Sequence, residues 1–397
     1  MPLTNRIAAQ TSRASMHQLT LSPLMRYNTH MKTYYDYHAD DYGLSINNSI
    51  QILDCIKAGR LDSISVMPNM DTTEEAMRML RDAWPDLKHK PLITVHIDLV
   101  DGRALSHRSA SHDNSNSEAV GNNATAPTDA VDEAAGNNTA SHDATVSKIE
   151  TNNTSRISNS KGLITSSWGQ LFIHSFLPGR ASLRAELVEE IRAQIDKVQS
   201  LLPDTELRLD SHMHTHMIPV VRDAIMEVID TDGLEVAFIR DAAEPLGVFL
   251  KQGELLATYS PVNIVKNVIL NILSPRLLRE CRKRNIASGC LWGLIMSGHM
   301  DKERIEKILP SMNSYMDKHH AKNMSNSISS SEGANANTTA CAPMMMEILA
   351  HPGRVLESEL GECHNKPDIY SFYISDEREI ERIGVMEANR SVAKSEG

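Results

Sequence analysis

Four short segments gather residue types able to bind a cation or move a proton. His38-Ala39-Asp40-Asp41-Tyr42-Gly43 carries adjacent carboxylates, so one can bind a metal while the other stays free as a base. Asp close before Gly also suits an ordinary turn or a helix N-cap. In Val95-His96-Ile97-Asp98-Leu99 a strand would set His96 and Asp98 on one side and the apolar residues on the other. A strand histidine of that kind can equally be a hydrogen-bonded structural residue. Asp210-Ser211-His212-Met213-His214-Thr215-His216 repeats histidine at every second position after an acid. Imidazole is the commonest metal ligand, and a carboxylate beside it can orient its second ring nitrogen. Ala350-His351-Pro352-Gly353 presents an imidazole at a turn, as a cleft residue or an ordinary turn histidine. One carboxylate and two imidazoles make a three-ligand site with open positions, as hydrolytic metal centres require.

Each segment falls where a short β-like run ends. Strands are expected at 34–39, 62–67, 92–99, 207–211, 235–239 and 344–350, from runs of β-branched and apolar residues. Helices are expected at 46–58, 72–84, 183–202, from Pro219, over most of 262–317 with a break near 289–297, and at 376–387. Repeated β-then-α units imply parallel strands with right-handed crossovers. That many units predicts an α/β fold, a TIM-barrel-like (β/α) barrel, regular or irregular, with its site at the carboxyl ends of the strands.

Residues 106–160 hold no Leu, Met, Phe, Tyr or Trp and are dense in Asn, Ser, Thr and Ala. Such a tract buries too little apolar surface to offset its ordering entropy. Residues 320–340 repeat that composition, and both tracts are read as disordered loop insertions in a single domain spanning 33–390. Residues 1–32 form a basic leader (Arg6, Arg13, Arg26, Lys32) without Asp or Glu, either a disordered extension or an organelle transit segment. Met31 offers an alternative start.

A formal net charge of −11 argues against a general nucleic-acid binder. No run approaches the roughly 20 apolar residues that span a bilayer, so no membrane partner is expected. Five cysteines without a C-x-x-C pair read as reduced intracellular thiols, which gives a cytoplasmic expectation. A homodimer is the default oligomer.

Taken in order, HADDYG, VHIDL, DSHMHTH and EILAHPG resemble the YdjC-like carbohydrate deacetylases, including chito-oligosaccharide deacetylases. Supporting matches are Leu61-Asp62-Ser63-Ile64-Ser65, Ile239-Arg240 with Glu244-Pro245, and Trp292-Gly293 with Ser297-Gly298-His299-Met300. The resemblance runs from about Tyr34 to Glu387, outside the two insertions; His38 stands where a small polar residue such as Asn is common. It implies a TIM-barrel-like fold and one divalent cation, Mg2+ or Zn2+, held by Asp41, His96 and His212. It further implies Asp40 as general base, and His351 or His214 as acid or substrate contact. Arg240 is expected to bind sugar hydroxyls or to pair with Glu244. The expected reaction is metal-dependent hydrolysis of the acetamide of an N-acetylated sugar, releasing acetate. The competing readings are a metal-dependent phosphoesterase, which would assemble two or three metals, and a catalytically inactive carbohydrate-binding protein.

Overall fold

Side-chain alternation along the first strand decides what fills the centre of the molecule. The computed structural model describes residues 33–106, 155–329 and 344–390. Strand β1 (Thr33–Tyr42) sends Tyr35 and Tyr37 outward into an apolar cluster, while Asp36, His38 and Asp40 alternate with them and are buried on the other face.

The chain continues through α1 (Ile46–Lys57), β2 (Ser63–Val66), α2 (Thr73–Ala83) and β3 (Leu92–Ile97). After residue 155 come α3 (Trp168–His174), α4 (Arg180–Leu201), β4 (Leu207–Ser211), α5 (Pro219–Asp232) and β5 (Val236–Ile239). Then follow α6 (Leu246–Phe249), α7 (Pro261–Lys283), β6 (Cys290–Trp292), α8 (Lys302–Ser329), β7 (Met344–Ala350), α9 (Pro367–Tyr373) and α10 (Glu377–Glu387). Local chemistry sets several ends. Ser45 caps α1 by accepting from Asn48 N–H. Pro219 opens α5, and Gly233 closes it at φ 65, a left-handed conformation that suits glycine.

The strands order as β5-β4-β3-β2-β1-β7-β6, and every pairing is parallel. The edges meet: Ile239 N–H donates to Ala287 C=O at 3.0 Å and Asp241 N–H to Gly289 C=O at 3.0 Å, tying β5 to the segment that runs into β6. The sheet therefore curls into an irregular seven-stranded α/β barrel, the expected class. Outward residues such as Ile64, Ile93, Val95 and Leu209 pack with Leu187, Ile191 and Ile195 of α4. The barrel interior is polar. Asp36, His38, Ser63, Ser65, His96, Asp210, Arg240 and Glu347 are each at most 1% exposed there. A barrel of this kind more often fills its interior with branched aliphatic residues.

Some expected boundaries move. The break near 289–297 contains β6, and α8 carries the helix through residue 329, into the tract expected to be an insertion from 320. At the other tract, residues 155–160 belong to the folded body. Ile157 is 2% exposed, and Ser158 bridges Ile164 across an antiparallel turn. An isoleucine near Leu163 and Ile164 supplies the apolar contact that the tract's composition otherwise lacks. The expected leader 1–32 and the remainder of the two tracts, 107–154 and 330–340, lie outside the described residues.

Candidate active site

Adjacent residues on a regular strand face opposite ways, yet Asp40 and Asp41 both reach the strand-end site. The register of β1 against β2 shifts between Ala39 and Tyr42, and Asp41 adopts a left-handed φ of 70. Asp tolerates this conformation better than most residues. This bulge re-aims the second carboxylate. Asp41 Oδ2 accepts from Arg378 at 2.9 Å. Its Oδ1 stands 3.5 Å from His96 Nε2 and 3.2 Å from His212 Nδ1.

The donor set fits a cation. His96 Nδ1 is 2.7 Å from Asp210 Oδ1, which leaves Nε2 bare. His212 Nε2 is 3.0 Å from Tyr373 Oη, which leaves Nδ1 facing Asp41. Burial pushes the Tyr373 phenol well up, so it stays protonated as a hydrogen-bonding partner. Asp41 Oδ1 and His96 Nε2 are buried without a hydrogen-bond partner, aimed at a common point. Asp41, His96 and His212 thus form a group able to hold a metal ion, with the predicted membership. Burial opposes charge on Asp41, but Arg378 and then His212 outweigh it and hold the carboxyl well below its ordinary range.

Arg240 grips Asp40. Its two terminal nitrogens donate to Asp40 Oδ2 and Oδ1 at 3.1 and 3.0 Å. The same guanidinium reaches Asp210 at 2.8 Å and Glu347 at 2.9 Å. Burial opposes ionisation of Asp40, but Arg240, then His96 and His38, hold it well below the usual carboxylate range. Two further groupings have ligand-like spacing, Asp36–His38–Glu347 and His38–Asp40–Asp210. Arg240 already compensates Glu347, Asp40 and Asp210, which argues against a second cation there.

The expected role of Arg240 as a sugar contact is corrected here. The side chain is 0% exposed, and its donors face three carboxylates instead of the cavity. Nor does it pair with Glu244, which accepts from Gly293 and Ile295 N–H at 2.7 and 2.8 Å and so holds a loop of the cavity wall.

The three alternate histidines do not share a face. β4 ends at Ser211, and the chain tightens into a 3-10 turn over His212–Met217, in which Met213 and His214 take left-handed φ values of 53 and 58. His212 joins the cation group. His216 turns into the body, with Nδ1 2.7 Å from Ser211 Oγ and Nε2 2.9 Å from the Arg240 carbonyl. His214 lines the cavity. Burial, then Lys266 and Arg240, push its imidazole well below the ordinary value. Its place in the wall of the cavity suits the expected substrate contact.

The cavity measures about 420 Å³ and is lined by Asp40, Asp41, His212, His214 and His351 among others. His351, the other expected acid or substrate contact, lines the same cavity. Glu381 accepts from its backbone N–H at 2.5 Å and lies 3.2 Å from its Nδ1, so the ring is oriented by a carboxylate. Lys266 also lines the cavity, and burial brings its ammonium down to about 8. The sequence reading did not find Lys266, Tyr373, Arg378 or Glu381. Only Asp210 carried a local signal, as the acid that opens the histidine run.

The YdjC-like protein family model matches residues 37–387. A carbohydrate deacetylase of Danio rerio is 20% identical over 333 residues, which cover 84% of this chain and 85% of that protein. A solved Enterococcus faecalis structure, described as a candidate cellobiose-phosphate cleavage protein, aligns with 91% of this chain and 98% of its own at 15% identity and a TM-score of 0.44. With the family model covering nearly all of the barrel, this chain belongs to the YdjC-like family.

Proposed function

We propose that this protein is a metal-dependent deacetylase that hydrolyses the acetamide of N-acetylated sugars. One observation carries the reading. Asp41, His96 and His212 converge beside a second carboxylate, Asp40, which is held by Arg240 and lines the same open cavity as Asp41 and His212. When bound, a divalent cation would supply Lewis acidity, polarising the acetyl carbonyl and acidifying water.

The chain's own residues do the rest. Asp40 is ionised throughout the neutral range and takes the proton of the attacking water. Arg240 fixes both oxygens of Asp40, so the base is oriented before substrate arrives. His351, turned by Glu381, hands a proton to the departing amine. His214 and Lys266 line the same cavity and are placed to hydrogen-bond the sugar. The products are acetate and an amino sugar.

The test is acetate release from N,N′-diacetylchitobiose and longer chito-oligosaccharides. Wild type and Asp41→Asn are compared with chelator and after Mg2+ or Zn2+ is restored. Release that needs both Asp41 and the cation supports the reading. Absence of release from every N-acetylated sugar, with one cation demonstrably bound, refutes it.

A further inference from the structure

Below the cavity a hydrogen-bonded chain links the two halves of the site. His38 lies at its centre, 0% exposed. Its Nδ1 is 2.6 Å from Ser63 Oγ and its Nε2 is 2.7 Å from Ser65 Oγ. Each hydroxyl also meets a carboxylate, Ser63 at Asp36 Oδ1 (2.6 Å) and Ser65 at Asp210 Oδ2 (2.5 Å).

The two serine hydroxyls fix part of the network's direction. A serine hydroxyl has one proton to donate, and an ionised carboxylate only accepts. Asp210 is clamped by Arg240 at 2.8 Å and lies 2.7 Å from His96 Nδ1, and its Oδ2 accepts from Ser65 Oγ at 2.5 Å. Ser65 therefore commits its proton to Asp210, and its oxygen can only accept from His38. The same Nε2 stands 3.1 Å from Asp40 Oδ1, a carboxylate whose oxygens already accept from Arg240. Both neighbours of Nε2 are thus placed to accept a proton from it. On the far side, Nδ1 faces Ser63, whose own proton goes to Asp36, and, at 3.5 Å, Glu347 Oε1.

We infer that His38 is a positioning residue: its Nε2–H is shared by Asp40 and Ser65 and locks the base to Asp210, the carboxylate that orients His96. The unbroken order is Asp40, His38, Ser65, Asp210, His96. A base and a cation ligand carried on strands β1 and β3 are thereby held in one network across the barrel. The charged groups facing His38 are Asp40 from β1, Asp210 from β4 and Glu347 from β7, with Asp36 reached through Ser63 and Arg240 pairing with Asp40, Asp210 and Glu347 behind them.

The inference rests on the deacetylase reading for its kinetic consequence but not for its geometry, and the experiment separates the two. The full chain labelled with 15N-histidine is examined by NMR at pH 7, with His38 assigned by its loss in His38→Gln. A proton on Nε2 is expected; an unprotonated Nε2 overturns the inference whatever the enzyme does. In parallel, His38→Gln keeps an N–H donor near the Nε2 position, whereas His38→Met fills the space without one. The Gln variant is expected within about threefold of wild type. The Met variant is expected to lose about 10- to 100-fold in kcat, the usual scale for an outer-sphere partner, with KM and bound cation unchanged. Ser65→Ala follows His38→Met, and Ser65→Thr restores activity. Equal kcat in the Gln and Met variants refutes the positioning role. If wild type releases no acetate, the deacetylase reading falls and the NMR result alone decides the link.

Discussion

Replacing Arg240 by Lys separates the two roles considered for it, a contact with sugar hydroxyls and a clamp on the base. The guanidinium serves Asp40, Asp210 and Glu347 at once, with nitrogen–oxygen distances of 2.8 to 3.1 Å. A lysine ammonium keeps the charge but lacks the planar fork, and from one point it cannot span three carboxylates. Removing the cation outright, as in Arg240→Met, would leave those carboxylates uncompensated. That costs about 3–5 kcal/mol for a buried pair, a large share of the roughly 5–15 kcal/mol that holds a domain folded. Lys is therefore the informative change. It preserves the fold and frees Asp40 to swing, so kcat should fall about 10- to 100-fold while KM stays within about twofold. Steady-state acetate release across substrate concentrations measures both, and thermal unfolding confirms that the variant is folded. A tenfold rise in KM at unchanged kcat would return Arg240 to the substrate and refute the argument from its burial.

Three further expectations can be checked separately. Burial holds His216 down to about 4 from 6.5, so the folded ring stays neutral while the unfolded one protonates. The stability this represents, about 3 kcal/mol, is fully present above pH 6.5 and lost as pH falls toward 4. Urea unfolding across that window should slope less in His216→Gln, and parallel slopes would contradict it. Excising residues 107–154 behind a short Gly/Ser linker should leave kcat/KM and the melting temperature nearly unchanged. Ser106 is held by Glu190 and Ser155 by Glu186, neighbours one turn apart on α4, so the two ends already lie close together. Finally, Lys266 makes no hydrogen bond or ion pair with any other described residue, and Lys266→Met should raise KM about tenfold with kcat little changed, the scale of one charge-assisted hydrogen bond.

The barrel was legible because hydrophobic periodicity and parallel β–α repetition report how elements alternate, and six of the seven strands lie where the pattern puts them. Only β6 escaped. Its three residues, Cys290–Trp292, are too short to show alternation, and they follow a glycine in a stretch otherwise read as a helix break. The tract boundaries moved for a related reason. Composition marks where large apolar side chains stop, but α8 can extend through polar residues that its preceding turns hold in place.

The site was legible only along one strand at a time. The segments that hold Asp41, His96 and His212 stand out as dense local patterns, but the choice of those three residues within them comes from the family resemblance. What those patterns could not show is the way a side chain leaves the backbone once regular geometry fails. The left-handed residues at Asp41, Met213 and His214 undo the alternation from which same-face arguments are made. They explain why His212, His214 and His216 part company when their spacing suggests a common face. The groups that hold the first set in place come from far along the chain. Arg378 reaches Asp41 across 337 positions, and Tyr373 reaches His212 across 161. Both belong to the closing helices, where nothing within a few residues marks an arginine or a tyrosine as more than a surface or core residue. Their burial gives them away: Arg378 is 0% exposed and Tyr373 1%. A buried arginine must find a carboxylate, and the barrel's strand ends supply one. The C-terminal segment thus completes the site that the strands begin, and Arg378, which also donates to the Gly353 carbonyl at 2.7 Å, ties the turn carrying His351 to the carboxylate facing the cation group.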